Sequence, residues 1–235
     1  MSQTCYANKL LRSMAADDFQ ALQTHLEPHD LNRRQVIVHR NAVVTHVYFP
    51  ESGQVSVLAR ASGSEPIEVS MFGREGMSCV APSNRMSTDT IVQIEGHAHR
   101  IERETFLRAM QNSASLALFI SRWSHAELMQ TTYTALANGS FTVAQRLARY
   151  VLMIQDRLDG DEVPLAHDQF AWMLAVRRAG VTESFRELKR LGAVDTSRGK
   201  VRIVDREALI AAAKGSYGPA EADYERLFAN ASGAA

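Results

Sequence analysis

Cysteine is scarce in this sequence. Cys5 and Cys79 are the only two among 235 residues, too few for a disulfide framework or a four-thiolate iron–sulfur or zinc site. The N-terminal segment also lacks a basic region followed by an apolar run, and no apolar stretch approaches the ~18 residues of a membrane span. We therefore expect a cytoplasmic protein that has no membrane partner.

Net charge is absent as well. The 26 basic and 26 acidic residues cancel, so any nucleic-acid-binding surface must be local. The sequence contains no nucleophile elbow, no HExxH, no P-loop and no GxGxxG, so we expect no enzymatic activity. With 46% hydrophobic and 22% charged residues, the composition is typical of a globular protein with one large or two modest domains.

The N-terminal half changes pattern after its first helix. Apolar residues at spacings of three and four predict a helix over residues 8–27, which Pro28 ends. Short β-rich runs separated by turn residues then follow as far as residue 103 and predict an all-β sandwich or barrel. These runs span 35–39, 45–50, 54–60, 67–72, 90–96 and 98–103.

Residues 104–137 contain neither proline nor glycine and predict a long helix, with a break near Asn112-Ser113 as the alternative. Thirty helical residues would span about 45 Å, longer than a small domain can cover. We therefore expect a homodimer paired along the apolar stripe of this helix, which contains Leu116, Phe119, Ile120, Trp123 and Leu128.

A domain boundary is predicted at the end of this helix. Asn138-Gly139 is expected to end the helix and Ser140 to cap the next one, over 141–158. The chain then divides into residues 1–137 and 138–235. The small-residue tail 229–235 is expected to be disordered.

The stretch 166–194, "AHDQFAWMLAVRRAGVTESFRELKRLGAV", predicts two helices over 168–174 and 178–191. Ala175 and Val176 form the turn between them, and Gly192 ends the second helix. Residues 193–205 predict a β-hairpin with Arg198-Gly199-Lys200 at its tip. Two short helices followed by a basic hairpin are typical of a winged helix-turn-helix. The second helix has a buried face of Val181, Phe185, Leu188 and Leu191.

Positive charge is concentrated in this region. Residues 177–206 carry nine basic and four acidic side chains in a chain with no net charge. Such segregation favours double-stranded DNA as the partner. Two alternatives stay open: a merely solvated helix face, and a nucleotide-sensing signalling module whose winged helix contacts proteins. The candidate DNA contacts are Arg177, Arg178, Thr182, Glu183, Arg186, Lys189, Arg198 and Lys200.

Three further segments carry a family resemblance: "VYFPESGQVSVL" (47–58), "FGREGM" (72–77) and "VAQRLARYVLMIQDRL" (143–158). Together with the helix-turn-helix, their order from Leu10 to Asp205 resembles the Crp/Fnr transcription regulators. The resemblance implies an α+β fold: a cyclic-nucleotide-binding-like jelly roll, a dimerisation helix and a C-terminal winged helix-turn-helix. It also implies a homodimer that reads palindromic operators, with RNA polymerase as a further partner.

The resemblance places an effector pocket at "FGREGM", where glycine N–H groups face a phosphate. In the cyclic-AMP binders a Glu of this motif holds the ribose, and an Arg-Ser pair about ten residues on holds the phosphate. Here Arg74 stands at the Glu position and Met86-Ser87 at the Arg-Ser position. Arg85 comes one residue early, which would point it to the opposite face of a strand. The candidate pocket residues are Phe72, Gly73, Arg74, Glu75, Gly76, Arg85 and Ser87.

These departures argue against cyclic AMP and favour an unknown small-molecule effector without a bound cofactor. The alternative is a re-purposed pocket in which Arg74 and Glu75 are paired or solvated. Cys79 is expected in the core rather than in a sensor. His97 and His99, two residues apart on one strand, could bind a metal, but we expect exposed histidines and no metal.

Overall fold

The computed structural model describes residues 2–78 and 84–229. After a short 3-10 turn at Gln3–Cys5, the predicted N-terminal helix is two helices, α1 (Lys9–Ser13) and α2 (Ala16–Gln23). Asn8 begins α1 because its side-chain oxygen accepts hydrogen bonds from two backbone N–H groups, at 3.1 Å each. Pro28 does not lead into a loop but lies inside a strand that the sequence did not predict.

Seven strands form two antiparallel sheets, consistent with a jelly roll. One sheet has the order β1-β7-β3 and the other the order β2-β6-β4-β5. All six predicted strands are present within two residues of their expected bounds. The strands are β1 (Glu27–Leu31), β2 (Val36–Val38), β3 (His46–Pro50), β4 (Gln54–Ala59), β5 (Ile67–Phe72), β6 (Asp89–Ile94) and β7 (Gly96–Glu102).

The long helix is interrupted, as the alternative interpretation allowed. Helix α3 (Arg103–Asn112) stops at Ser113, whose hydroxyl caps α4 (Ala114–Ser140) by accepting from the Leu116 N–H at 3.1 Å. The predicted helix end at Asn138-Gly139 is wrong, because α4 continues to Ser140. The next helix, α5 (Val143–Gln155), is capped instead by Thr142 in a capping box with Gln145.

The C-terminal half contains the predicted helices and hairpin, together with additional elements. In order these are β8 (Glu162–Val163), α6 (His167–Met173), α7 (Arg178–Arg190), β9 (Val194–Ser197), β10 (Lys200–Ile203), α8 (Arg206–Ala212) and α9 (Pro219–Ala229). Ala229, assigned to the tail from the sequence, ends α9. The rest of that tail and Cys79 lie outside the described residues.

Two hydrophobic cores organise the chain. One lies in the C-terminal half around α5, and the other fills the jelly roll and takes in Phe228 from α9. Phe228 lies against Phe119 and Tyr224 against Trp123, with ring centroids 5.4 Å and 6.5 Å apart. The last helix of the chain therefore closes the core of the first domain.

This packing corrects the expected dimer interface. Leu116, Phe119, Ile120 and Trp123 are at most 5% exposed, covered by the chain itself. Of the predicted stripe only Leu128 stays open, at 57% exposure. Within the described part of the chain, every helix falls short of the length and apolar character that crossing a bilayer demands.

Candidate nucleic-acid interface and its link to the N-terminal domain

Helices α6 and α7 pack as a helix-turn-helix around an aromatic contact. Phe170 and Phe185 meet edge to face at 5.2 Å, and Val181 and Leu188 are buried beside them. The turn requires a left-handed residue, which is Ala175 at φ +51°. Leu191, expected on the buried face, is 56% exposed, because left-handed Gly192 (φ +72°) turns the chain away from the core.

The opposite face of α7 is exposed and charged, as predicted. Arg178 contacts Asp168 of α6 at 2.9 Å, and Arg186 contacts Glu183 at 2.9 Å. All four side chains are at least 64% exposed, so each pair contributes at most about 1 kcal/mol. A phosphate or a guanine edge can therefore displace either carboxylate at small cost.

Thr182 differs from its predicted neighbours on this face. It is half-buried, and its hydroxyl lies 3.2 Å from Nδ1 of His167, at the start of α6. The imidazole of His167 stacks on Phe185, and burial together with the nearby Arg178 lowers the pKa of His167. A neutral imidazole thus holds Thr182 between the two helices, so its hydroxyl is already engaged on the protein side.

The hairpin forms the wing of the domain, in a three-stranded sheet of order β8-β10-β9. Gly199, at φ +80°, makes the tip between Arg198 and Lys200. Lys200 contacts Glu162 at 2.7 Å, whereas Arg198, Arg177 and Arg190 form no ion pair with any described residue. The wing tip and both ends of α7 thus present uncompensated positive charge.

Lys189, near the end of α7, is tied to the wing. Its ammonium donates to Asp195 of β9 at 2.7 Å, and this hydrogen bond lowers the pKa of the Asp195 carboxyl. The contact links α7 to the wing sheet. Because both side chains are exposed, the ammonium can also reach an incoming phosphate.

The turn expected to bind an effector phosphate instead joins the two halves of the chain. Arg74 contacts Asp159 at 2.5 Å and the Leu158 carbonyl at 2.7 Å, and Glu75 contacts Arg157 at 2.7 Å. Gly76 abuts Trp123 of α4 so closely that a Cβ would lie 2.2 Å from the indole. The glycines of this turn therefore serve a close packing contact, and Phe72 is part of the core.

The remaining candidates of that pocket lie elsewhere. Arg85 and Ser87 are exposed, and the Arg85 guanidinium donates to the carbonyl of Asn41. The structure therefore does not gather Arg74 and Arg85 at one phosphate site. His97 and His99 each contact one carboxylate, Asp30 at 3.0 Å and Glu51 at 3.2 Å; in the described ranges no three such groups converge on a metal position.

A buried polar cluster makes a second contact between the halves, which the sequence analysis missed. The Tyr150 hydroxyl of α5 donates to Glu68 of β5 at 2.7 Å, and the Ser56 hydroxyl of β4 donates to the same oxygen. Burial raises the pKa of Glu68 to about 7 and also raises the pKa of Tyr150. A charged residue on an otherwise apolar strand was the only sequence signal of this cluster.

A cavity of about 350 Å³ also escaped the sequence analysis. It lies where the 72–77 turn, α4 and α5 meet the C-terminal helices, and Glu75, Trp123, Glu127 and Tyr224 are among its lining residues. Neither Arg85 nor Ser87 lines it. Its outer wall belongs to α9, a helix for which no pattern had been recognised.

This architecture is similar to that of known proteins. The family model of the Crp-like helix-turn-helix domain matches residues 145–212. FixK2 from Bradyrhizobium japonicum has a TM-score of 0.71 at 14% identity, over 80% of this chain and 96% of that one. TTHA1359, a transcriptional regulator of the CRP/FNR family from Thermus thermophilus, has a TM-score of 0.64 at 14% identity, over 81% and 100%. The c-di-GMP responsive global regulator CLP of Xanthomonas campestris has a TM-score of 0.63 at 15% identity, over 81% and 100%. No curated protein sequence matches the chain.

Proposed function

We propose that the protein is a DNA-binding transcription regulator of the Crp/Fnr type, because residues 145–212 match the Crp-like helix-turn-helix domain and the chain has the fold of the Crp/Fnr proteins. From this premise we propose that α7 enters the major groove of its operator. Arg178 and Glu183 then contact base edges, while Arg186, Lys189 and the wing residues Arg198 and Lys200 contact phosphates.

The segregation of charge carries this proposal. Residues 177–206, which include α7 and the wing hairpin, carry nine basic and four acidic side chains, while the chain as a whole is neutral. Helix α7 is 13 residues long, which gives about 20 Å of helix for a groove about 12 Å wide. Arg178, at its N-terminus, is 70% exposed and suited to bidentate contact with a guanine.

Its neighbours on α7 suit other contacts. Glu183 is suited to accept from a cytosine amino group, and Arg177, just before the helix, to reach a flanking phosphate. The half-buried Thr182 approaches the base edges only if its contact with His167 opens.

We further propose a homodimer joined along the open face of α4. Leu118 and Leu128 are each 57% exposed, and Leu136 is 47% exposed. Ser121 and His125 are also exposed between the first two of these, at the spacing of one helix face. The stripe from Leu118 to Leu136 contains no carboxylate and is suited to a two-fold helix pair, which would place two copies of α7 on a palindrome.

Gating by an effector follows from the contacts between the two halves. Arg157, at the end of α5, contacts Glu75, the Gln130 side chain of α4 at 2.5 Å, and the Met71 carbonyl at 3.3 Å. A ligand that moves the 72–77 turn or α4 would therefore shift the first helix of the DNA-binding domain. We propose an effector other than cyclic AMP, because Met86 stands where the phosphate-binding arginine is expected. Calorimetry showing micromolar cyclic-AMP binding would contradict this.

The base-reading role is tested with Arg178→Ala and Arg198→Ala on a selected operator and on random duplex. Arg178→Ala should weaken operator binding by about 1–3 kcal/mol and relax discrimination at one base pair. Arg198→Ala should weaken both duplexes alike and lower the salt slope by about one.

Two results of that comparison would contradict the proposal. Equal losses on both duplexes for Arg178→Ala would refute base reading. Failure of the wild type to bind any duplex, even at low salt, would favour the protein-docking alternative instead.

A further inference from the structure

The cavity behind α9 has the size and the walls of a ligand site. Its volume of about 350 Å³ falls within the range of small-molecule pockets. Trp123 of α4 and Tyr224 of α9, which meet edge to face, form one aromatic wall, and the small side chains of Ala126 and Ala220 line the space beside it. Side chains from both halves of the chain therefore enclose one space.

Glu127 is a half-buried carboxyl that lines this space. Its carboxylate forms no hydrogen bond or ion pair with any described residue. Burial, and then the nearby Glu75, raise the pKa of Glu127 to about 7. Such a group is stabilised by a cation that pairs with it, and Glu127 forms no ion pair with any described cation of the chain.

The residues that line the cavity carry an excess of negative charge. Five carboxylates and three cations line the cavity. Arg157 is paired with Glu75 and Arg206 with Asp156, each at 2.7 Å. Three carboxylates, on Glu127, Glu221 and Glu225, then face Lys9 alone. The cavity therefore carries a negative field.

The aromatic wall already accommodates a cation. The Lys9 ammonium lies 5.9 Å from the centre of the Tyr224 ring, within the range of a cation–π contact. A ring face and a free carboxylate in one cavity are the groups that recognise an organic ammonium or amidinium ion.

We propose that this cavity binds a small organic cation, an amine or amidine on a flat apolar body, with its charged nitrogen at Glu127 and its ring against the wall that Trp123 and Tyr224 form. That this ligand is the effector rests on the proposed function. The route is direct, because the cavity shares Glu75, Gln130 and Arg157 with the contact that joins the two halves.

The test uses tryptamine and indole-3-propionate, which share a ring and chain length and carry opposite charges. Calorimetry with the full chain should show one tryptamine bound per chain and no heat with indole-3-propionate. Glu127→Gln should weaken tryptamine binding at least tenfold, while Glu225→Gln, which removes an exposed carboxylate at the rim, should change it less than twofold. Glu127→Gln should fold at least as well as the wild type, because it replaces a half-buried carboxyl that has no ion-pair partner among the described residues.

Three outcomes would overturn the proposal: no tryptamine binding, equal binding of both probes, or unchanged affinity in Glu127→Gln. DNA binding of the same variants is measured separately by titration of fluorescent duplex. If tryptamine bound without any change in operator affinity, the cation site in the cavity would be supported and its role as the effector site refuted. Failure of the wild type to bind any duplex would refute the proposed function, whereas the proposal that the cavity binds an organic cation would still rest on the calorimetry.

Discussion

Replacing Glu68 by glutamine removes a carboxyl that holds a proton in the folded protein near neutral pH. The pKa of this carboxyl is 4.5 in an unfolded chain and about 7 in the fold, where burial disfavours its ionised form. Between these values the folded state binds more protons than the unfolded state. The free energy of unfolding therefore falls as the pH rises from 4.5 to 7, and the loss is complete above 7.

The size of the effect follows from the two pKa values. Between pH 5 and pH 8 the titration of Glu68 should lower the free energy of unfolding by about 2.5 kcal/mol. Glutamine stays neutral, and its carbonyl oxygen still accepts from Ser56 and Tyr150. We therefore expect Glu68→Gln to lose this pH dependence and to be the more stable protein at pH 8.

Urea unfolding followed by circular dichroism at pH 5 and pH 8 measures the effect. The contribution of Glu127, which titrates in the same window, is common to both proteins and cancels in the comparison. Glu65→Gln, an exposed neighbour three residues away, should behave as the wild type. If Glu68→Gln kept the full pH dependence of the wild type, the raised pKa and the buried contact with Tyr150 would both be wrong.

Two further expectations concern single positions. Ala175→Gly should stabilise the protein by about 0.5–1 kcal/mol in denaturant unfolding. The left-handed conformation costs alanine about 1–2 kcal/mol, and the larger backbone entropy of glycine in the unfolded chain offsets part of the gain. Destabilisation by this substitution would refute the strain at Ala175. Leu128→Glu should convert the proposed dimer to a 26.1 kDa monomer in light scattering. Val43→Glu, at a similarly exposed apolar site in the jelly-roll domain, should leave the protein dimeric. If Leu128→Glu were still a dimer, the interface would lie elsewhere.

Local patterns were sufficient to predict most of the fold. The apolar spacing of Val181, Phe185 and Leu188 buries one face of α7, so its period identifies this helix without tertiary information. Strand 67–72 was also predicted, but its burial does not follow the alternation, because Glu68 is buried and Ile67 is 40% exposed. The resemblance to the Crp/Fnr regulators, and with it the winged helix-turn-helix, is confirmed. The role of each predicted DNA contact stays a prediction.

The errors share one cause, which is contact between residues distant in the chain. Phe119 and Trp123 looked unpartnered because their partners Phe228 and Tyr224 come about a hundred positions later. Arg74 and Glu75 were assigned to a ligand because nothing in "FGREGM" shows that Asp159 and Arg157 will meet them. Helices α8 and α9 were overlooked although their residues favour helix; what the sequence does not show is that α9 packs on α4, far away in the chain.

The position of α9 has a consequence for biosynthesis. During translation the jelly roll and α4 emerge first, and domains generally begin to fold in that order. Phe119 and Trp123 then lack their partners until Phe228 and Tyr224 have been made. The nascent chain therefore exposes an aromatic surface on α4 while the helix-turn-helix is being synthesised. A chaperone that binds exposed aromatic residues would find its substrate in this interval. A long insertion between α8 and α9 would lengthen the interval and lower the yield of native protein.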